Sequence, residues 1–474
     1  MVILAVMFKR LSSISLYFFV GLVFTSCSSM QFQDLFSGYA KQMKKVRQAQ
    51  QHGDFTGAQA LLIHREKGDN VYALTLLERA RLQYLLGDWQ KSQHDFSLVY
   101  QSLTAEREKA KLQISKGLKQ MGAIVSNDNA IAYELPTYEQ SMMHSYQALN
   151  YVNLGDLEGA LVEIRRANLM QEQALQNNQM LVDDAESKFN NHALKSAYPS
   201  MDLIIGDLKN GFQNAYTFYL SGILYEAIGQ VNDAYIDYKK ALEIYPDNHY
   251  VQKDVLRLAA KLAMSDDLAH FTKLYGELKS TKEKDVGQVI LLIEQGMINA
   301  KDDLSVYLPI FYFYNDARYF SFSLPVYRDE TMIYQQAKLT VNGHEYQAEE
   351  IIKLQSLASK HLSDQLPGLV TRQAVRVIAK EQLRNQLSHK GGDIGNILAN
   401  LYNMASEQAD TRSWLTLPNN VQIVRVTLPI GKQQISLTVA GKTQLIDVDI
   451  NKDRLSLVNV TSLGDTLNYH VNKL

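Results

Sequence analysis

The sequence predicts a mainly α-helical protein, in which an N-terminal α-solenoid of paired helices is followed by a smaller α+β C-terminal domain that contains an antiparallel sheet. Two patterns predict this class. Turn-forming glycines recur at a fixed spacing in the first half, and short apolar or β-branched runs separated by turn residues follow from about Asp285. Only 8 of the 474 residues are prolines, which favours long helices because each interior proline costs about 3 kcal/mol.

The composition indicates a folded protein and argues against one class of partner. Hydrophobic residues make up 46% and charged residues 21% of the chain, as in ordinary globular proteins. The net charge of -2 shows no basic excess, so we expect no nucleic-acid partner. A chain of 474 residues is long enough for two or three domains.

The first 26 residues have the pattern of a secretory signal peptide. Two basic residues, at positions 9 and 10, precede an apolar segment at 14–24 that is too short for a stable membrane-spanning helix. Two small residues, ending in Ser26, then precede Cys27, which is the one cysteine in the sequence. The pattern therefore predicts export with processing next to this cysteine.

This arrangement resembles the lipobox of bacterial lipoproteins, although Phe24 stands where leucine is usual. The resemblance implies cleavage between Ser26 and Cys27, a diacylglyceryl group on the Cys27 thiol, and acyl chains such as palmitate that anchor the protein to a membrane. Residues 27–34 would form the lipidated linker. Ser28, in place of the aspartate that retains related lipoproteins in the inner membrane, implies the outer membrane, with the protein facing the periplasm.

Two alternatives stay open at this end of the chain. Cys27 could be incidental and follow an uncleaved signal anchor. The segment before the basic pair is apolar, so translation could start at Met7 rather than Met1, which would give a conventional signal peptide.

The repeat spacing defines the helical domain, which we place at 35–280. Gly53 and Gly87 are 34 residues apart, and Gly155 lies twice that distance further on. Because 34 residues is the period of the tetratricopeptide repeat, this region resembles that family. We expect four helical hairpins between about 35 and 265, with irregular insertions at 104–140 and 172–212 and a helical cap at 251–278.

The best copy of the repeat spans residues 215–248. Its aromatic, small, turn and proline positions are Phe218, Gly222, Tyr225, Gly229, Ala234, Tyr238, Ala241 and Pro246. Small residues at these positions let two helices approach closely, so we expect the signature to be structural. Stacked hairpins form a groove that typically holds a peptide or a partner helix, so the resemblance implies a protein partner.

The second half, 285–474, predicts the α+β domain. Strands are predicted at 289–293, 305–314 and 319–327, and a hairpin is predicted at Asn342-Gly343. A helix is expected at 349–387, interrupted near Pro367-Gly368, and a second helix at 393–409. The last strands are predicted at 421–428, 434–439, 443–450, 455–460 and 467–471, with antiparallel pairing because the links are short.

Three stretches, at 126–151, 162–167 and 409–418, resemble an uncharacterised family of Gram-negative, tetratricopeptide-repeat-containing lipoproteins. The resemblance covers most of the mature chain. Relatives lie near genes for activators of peptidoglycan synthases, which implies a role in envelope assembly.

No catalytic, cofactor or metal motif emerges from the sequence. Gly441-Lys442-Thr443 lacks the upstream glycine and the strand-to-helix context of a phosphate-binding loop. The histidines show no ligand spacing. We therefore predict no catalytic residues, no metal and no cofactor, and that the protein is not an enzyme.

Two charged groups have both a structural and a functional interpretation, and a third group, which contains a tryptophan, has a structural one. A basic stripe recurs every four residues at Arg372, Arg376, Lys380 and Arg384; it is either a solvated helix face or a contact for an anionic surface or partner. Glu163, Arg165 and Arg166 are expected to form inter-repeat salt bridges, with groove contacts as the alternative. For Asp410, Arg412 and Trp414 we expect the charged pair to bond while the indole packs.

The leading hypothesis is a lipid-anchored envelope scaffold that binds a protein partner through its repeat groove or its β domain. An envelope enzyme acting on glycan or peptide is one alternative. A surface-exposed, adhesin-like lipoprotein is another.

Overall fold

The computed structural model describes residues 38–115, 128–185, 198–278, 284–311, 317–328, 333–376 and 408–474. Its helices are α1 (Tyr39–Gln42), α2 (Lys44–Gln51), α3 (Phe55–Ala60), α4 (Tyr72–Leu85), α5 (Trp89–Ser115), α6 (Thr137–Asn153), α7 (Leu157–Ala185), α8 (Asp202–Ile205), α9 (Ala215–Ala227), α10 (Val231–Ile244), α11 (His249–Lys261), α12 (Ser265–Tyr275) and α13 (354–376).

Most of the helices pair into antiparallel hairpins. The turns between α4 and α5, α6 and α7, and α9 and α10 contain Gly87, Gly155 and Gly229, whose φ angles are +78°, +78° and +80°. These left-handed angles suit glycine, which explains why this residue recurs at the turns. The hairpins predicted at these positions are confirmed. The pair α2 and α3, at Gly53, precedes them, and α11 and α12 follow them.

Two segments predicted to be irregular begin as helix. Helix α5 continues through Ser115 and helix α7 through Ala185, so the helical part of each hairpin is longer than the repeat period requires. Neither helix contains a proline to stop it, and α5 also contains no glycine.

The C-terminal half contains eleven described strands. They are β1 (Val286–Gln295), β2 (Asp302–Phe311), β3 (Ala317–Val326), β4 (Lys338–Val341), β5 (His344–Gln347), β6 (Glu349–Lys353), β7 (Asn420–Pro429), β8 (Gly431–Val439), β9 (Lys442–Ile450), β10 (Leu455–Leu463) and β11 (Thr466–Lys473).

These strands form two larger sheets and a separate β2–β3 hairpin. The first sheet has the order β11-β10-β1-β7-β6, and the second has the order β5-β4-β8-β9. Strands β1 and β10 are parallel, whereas every other described pair is antiparallel, so the first sheet is mixed. Antiparallel pairing was expected from the short links between neighbours. Strands β1 and β10 are far apart in the sequence, with β2 to β9 between them, so the argument from short links does not apply to this pair.

Local strand predictions are largely confirmed. The run 289–293 lies within β1 and is buried throughout. Asn342 and Gly343 have φ angles of +50° and +78° and join β4 to β5, as a tight hairpin turn requires. The predicted helix at 349–387 is wrong at its start, because Glu349–Lys353 pairs with β7 as strand β6. From 354 the helix continues past Pro367-Gly368, and the helix predicted at 393–409 lies almost wholly outside the described residues.

The two halves share one hydrophobic core, to which the helices and both sheets contribute. Helix α9 contacts β6, helix α11 contacts β7, and β9 of the second sheet contacts β1, β10 and β11. The first sheet is thus covered by helices and by the second sheet, which explains why β1 is almost fully buried. Within the described residues, no helix combines the length and the apolar character needed to cross a bilayer.

Candidate functional site

The first helices of the hairpins face the chain's own C-terminal half. Three consecutive backbone N–H groups, those of Trp414, Leu415 and Thr416, donate to carboxylates on these helices. Glu139 of α6 accepts from Trp414 at 2.9 Å, and Glu78 of α4 accepts from Leu415 at 2.7 Å and from Thr416 at 2.9 Å. The turn at this segment therefore packs across α4 and α6 and uses both carboxylates as hydrogen-bond acceptors.

The two carboxylates are fully enclosed. Burial raises the pKa of Glu78 to about 7, against the hydrogen bonds from Leu415 and Thr416, which lower it. Burial also raises the pKa of Glu139, which accepts hydrogen bonds from the hydroxyl groups of two tyrosines. Over α4 and α6, the repeat face expected to bind a partner is occupied by the chain itself.

The second helices leave a surface that the described C-terminal residues do not cover. We call this surface, formed by α5, α7 and α10 together with side chains of α6 and α9 that reach it, the outer face. It contains two open clefts of similar size. The first cleft, of about 300 Å³, is lined by Phe96, Ser97, Tyr100, Gln101, Met143, His144, Gln147, Glu163 and Arg166. The second cleft, of about 240 Å³, is lined by Arg165, Asn168, Leu169, Glu172, Tyr225, Asp233, Ile236, Asp237 and Lys240.

The first cleft is organised around a buried carboxylate. Glu163 Oε2 lies 2.6 Å from His144 Nδ1, and Oε1 accepts from Arg166 Nη1 at 2.7 Å. The Arg166 guanidinium lies 4.4 Å from the centroid of the Tyr100 ring, in a cation–π contact. Because 40% of the Arg166 side chain is exposed, the cleft presents a cation whose position is fixed by its neighbours.

The second cleft repeats this organisation. Asp237 accepts from Ser221 Oγ at 2.5 Å and from Asn168 Nδ2 at 2.8 Å, and Lys240 Nζ lies 3.6 Å from it. Burial raises the pKa of Asp237, while the hydrogen bond from Ser221 and the charge of Lys240 lower it. Lys240 also binds Glu172 of α7 at 2.7 Å, so this cleft contains a carboxylate partner for its own cation.

The buried carboxylate occupies one position in three successive hairpins. It lies eight residues after the turn glycine, as Asp95 after Gly87, Glu163 after Gly155 and Asp237 after Gly229. Each is paired with a cation, namely Arg79, Arg166 and Lys240. Sequence reasoning missed this feature, although aligning the hairpins on their glycines would have revealed an acidic residue at the same offset.

Apolar side chains lie beside the clefts on the outer face. Leu169, Val162 and Ile236 are 56%, 43% and 40% exposed. All three belong to α7 or α10, and two of them line the second cleft. Leu169 and Ile236 therefore place apolar surface next to the charged groups of the second cleft.

The signature residues of the best repeat lie along the contact between its two helices and at its turns. A Cβ atom at Gly222 would lie 2.4 Å from the Tyr238 ring, so the two helices of this hairpin touch where glycine permits it. Most of the set is buried, and Gly229 forms the turn. These residues pack the hairpin, and Tyr225 also lines the second cleft.

The basic stripe is not a uniform solvated face. Arg376 is buried and pairs with Asp128, and Arg372 is more exposed and lies 3.8 Å from the same carboxylate. Lys380 and Arg384 lie outside the described residues. The half of the stripe that is described therefore tethers α13 to Asp128.

The inter-repeat contacts of α7 differ from those expected. Glu163 pairs within its own hairpin, with His144 and Arg166. Arg166 contacts the neighbouring repeat over Tyr100, and Arg165 Nε donates to Tyr225 OH at 3.3 Å, while the salt bridge that α7 makes to a neighbouring repeat comes from Glu172, which binds Lys240. Arg165 and Arg166 thus make arginine–tyrosine contacts in place of the salt bridges expected of them.

The junction before β7 forms as expected. Arg412 Nη2 donates to Asp410 at 2.7 Å, and the guanidinium also donates to backbone carbonyls at 128 and 131. Trp414 is fully buried and packs edge-on against Phe96 and Tyr146.

Ser26 and Cys27 lie outside the described residues, so their processing and lipidation stay predictions. Among the described residues, no group of three or more histidine, aspartate or glutamate side chains is arranged to hold a metal ion.

Known proteins offer little guidance. No known protein family and no curated protein matches the chain. Among solved structures, residues 41 to the end of MamA from Desulfovibrio magneticus RS-1 are 12% identical, with 52% of this chain and 99% of that chain covered and a TM-score of 0.28. BtubC from P. vanneervenii is 12% identical, with coverage of 50% and 82% and a TM-score of 0.27. The TPR2AB domain of yeast Sti1, in a complex with pHSP90, is 11% identical, with coverage of 50% and 88% and a TM-score of 0.19. Since these scores are below 0.5, the tetratricopeptide-like character of the first half rests on its own signature and hairpin packing.

Proposed function

We propose that this protein is a lipid-anchored scaffold of the cell envelope that binds a protein partner through the outer face of its repeats. The observation that carries the proposal is the contrast between the two faces of the hairpins. The chain's own Trp414 to Thr416 segment covers the first helices. The second helices leave two clefts and several apolar side chains accessible.

Two further features support the cellular setting. The lipobox-like residues before Cys27 support anchoring through acyl chains, and Ser28 supports sorting to the outer membrane. The proposal places the protein on the periplasmic side of that membrane. The resemblance to repeat-containing lipoproteins supports a role in envelope or peptidoglycan assembly. The scaffold would then present its outer face at a fixed distance from the membrane.

Site-specific photocrosslinking in cells tests the proposal. A photoreactive amino acid at Leu169, at the edge of the second cleft, is expected to give a discrete adduct in the membrane fraction. The same amino acid at Lys432, an exposed position on β8 outside the outer face, serves as the matched control and is expected to give none. Equal adducts from both positions, or none from Leu169, would rule out the outer face as the binding surface.

A further inference from the structure

Many residues that line the two clefts lie at equivalent positions of the repeat. A position at which the clefts differ can therefore indicate a difference in what they bind. Counted from the preceding turn glycine, Ser97, Tyr100 and Gln101 of the first cleft correspond to Arg165, Asn168 and Leu169 of the second. Glu163 and Arg166 lie at the same distances after Gly155 as Asp237 and Lys240 do after Gly229, so these two pairs also correspond. The first cleft can therefore be compared with the second position by position.

The clefts differ at one equivalent sequence position, which in the second cleft holds the carboxylate that pairs with the cation. In the second cleft, Glu172 of α7 lies seventeen positions after Gly155 and binds Lys240 at 2.7 Å. The same position after Gly87 is Thr104, whose hydroxyl group donates to the Tyr100 carbonyl one turn earlier in α5. Within the part of the chain that the structure describes, the first cleft thus offers a cation without the opposing carboxylate that its counterpart has.

The Arg166 guanidinium is held in a position from which it can bind a carboxylate. Among the described residues, its hydrogen bonds involve only Nη1, which donates to Glu163, while the guanidinium plane is held over Tyr100. Glu163 has each of its oxygens in a contact, with His144 at Oε2 and Arg166 at Oε1. A planar guanidinium suits a carboxylate because it can donate two parallel N–H bonds.

The floor of the first cleft adds an apolar requirement. Phe96 and Met143 form its base and are each 1% exposed, whereas the Tyr100 ring above them is partly exposed, so the side chain next to a bound carboxylate would contact that aromatic ring. Gln101 lies at the exposed rim and can donate to a neighbouring peptide carbonyl.

We infer that the first cleft binds a carboxylate of the partner chain at Arg166, next to a large apolar residue, in the place that Glu172 fills in the second cleft. The carboxylate belongs to an aspartate or glutamate side chain or to a chain terminus. This inference rests on the proposed function, because it assigns a chemistry to one part of the outer face.

Selection of short random peptides on the mature protein tests the inference. One library presents each peptide with a free C-terminus, and the other embeds it between fixed flanks, so terminal and side-chain carboxylates are distinguished. Wild-type protein is expected to enrich peptides with a carboxylate beside a large apolar residue. Thr104→Glu supplies the missing carboxylate within the cleft, and its recovery of such peptides should fall about tenfold, the loss of roughly one charge-assisted hydrogen bond.

Two more variants and a control complete the design. Arg166→Gln removes the cation and should give the same loss, which keeps the test valid if Thr104→Glu fails to fold by circular dichroism. Glu172→Thr removes the internal partner of Lys240 and should enrich acidic peptides beyond wild type. Arg454→Glu changes the charge of an exposed arginine in the β9–β10 turn and should leave the selection unchanged.

The outcomes separate this inference from the proposed function. A wild-type selection without preference for carboxylates, or one that Thr104→Glu and Arg166→Gln both leave unchanged, overturns the inference. If adducts still form from Leu169 in cells, the scaffold stands and the chemistry assigned to the first cleft is wrong.

Discussion

The buried guanidinium of Arg81 on α4 is paired with the carboxylate of Glu294 on β1. Their side chains are 1% and 7% exposed, and the guanidinium also lies 4.4 Å from the centroid of the Tyr146 ring. The Tyr146 hydroxyl group donates to the same carboxylate at 2.7 Å, and Thr461 donates to it at 2.9 Å. The pair therefore joins the helical half to the central strand of the first sheet.

Removing one partner of this pair should destabilise the whole fold. Arg81→Met leaves the Glu294 carboxylate buried without its cation, and Glu294→Gln leaves the cation without its anion; each should lower the free energy of unfolding by about 3–5 kcal/mol. The double variant removes both charges and should lose less than the sum of the two. Urea unfolding of the four proteins measures the cycle, and additive losses would show that the two charges do not interact.

Stability should also depend on the protonation of Glu78. Burial raises the pKa of this carboxyl group from 4.5 to about 7, so the folded state binds the proton more tightly than the unfolded state does. Its contribution to stability is complete below about pH 4.5 and is lost as the pH rises through about 7. The free energy of unfolding should therefore fall between pH 5 and 8, by about 3 kcal/mol at most.

Glu78→Gln identifies the source of this pH dependence. The amide cannot ionise but keeps an oxygen that can accept from Leu415 or Thr416, so the fall in stability with pH should shrink. Glu139, whose pKa burial also raises, contributes with the same sign and should leave a residual slope. Glu345→Gln, on the exposed strand β5, is the control and should follow wild type. An unchanged slope in Glu78→Gln would exclude this residue as its cause.

Close packing at Gly222 should make this position intolerant of a methyl group. In Gly222→Ala, the new Cβ atom would lie 2.4 Å from the Tyr238 ring, so α9 and α10 would have to separate, at a cost of about 1–3 kcal/mol. Gly368→Ala, in α13, is the matched control. Its nearest atom would be Arg372 Nη1 at 3.8 Å, so higher helix propensity should raise stability by about 0.5–1 kcal/mol. Thermal unfolding of both variants measures the difference, and equal effects would contradict the packing argument.

Local patterns were sufficient to predict the hairpins and most strands. The spacing of Gly87 and Gly155 specifies where the turns lie, because the left-handed angle is a requirement of the turn itself. Asn342-Gly343 specifies its β-hairpin in the same way. In each case the residues that carry the signal are also the residues that adopt the structure.

Contacts between distant parts of the chain could not be predicted in this way. An apolar face shows that a helix is buried, but it does not show what covers it, and Glu78 meets Leu415 from 337 positions away. The parallel pairing of β1 with β10 likewise joins segments that are far apart in the sequence. The sequence also does not show which helices the C-terminal half covers. The exposure of Leu169 and Ile236 on the outer face could therefore not be predicted.

Membrane attachment should depend on the thiol of Cys27. In Cys27→Ser, the diacylglyceryl group has no sulfur to join, so labelled palmitate should not be incorporated, and the precursor should keep residues 1–26 because cleavage in lipoproteins follows lipidation. Ser28→Ala retains the thiol and should be labelled like wild type. Palmitate labelling and the intact mass of the purified protein measure both effects. Fractionation alone would be ambiguous, since an uncleaved apolar segment can also hold a protein at a membrane. Palmitate incorporation that persists in Cys27→Ser, or its absence in wild type, would contradict the lipid anchor and leave the scaffold without its tether.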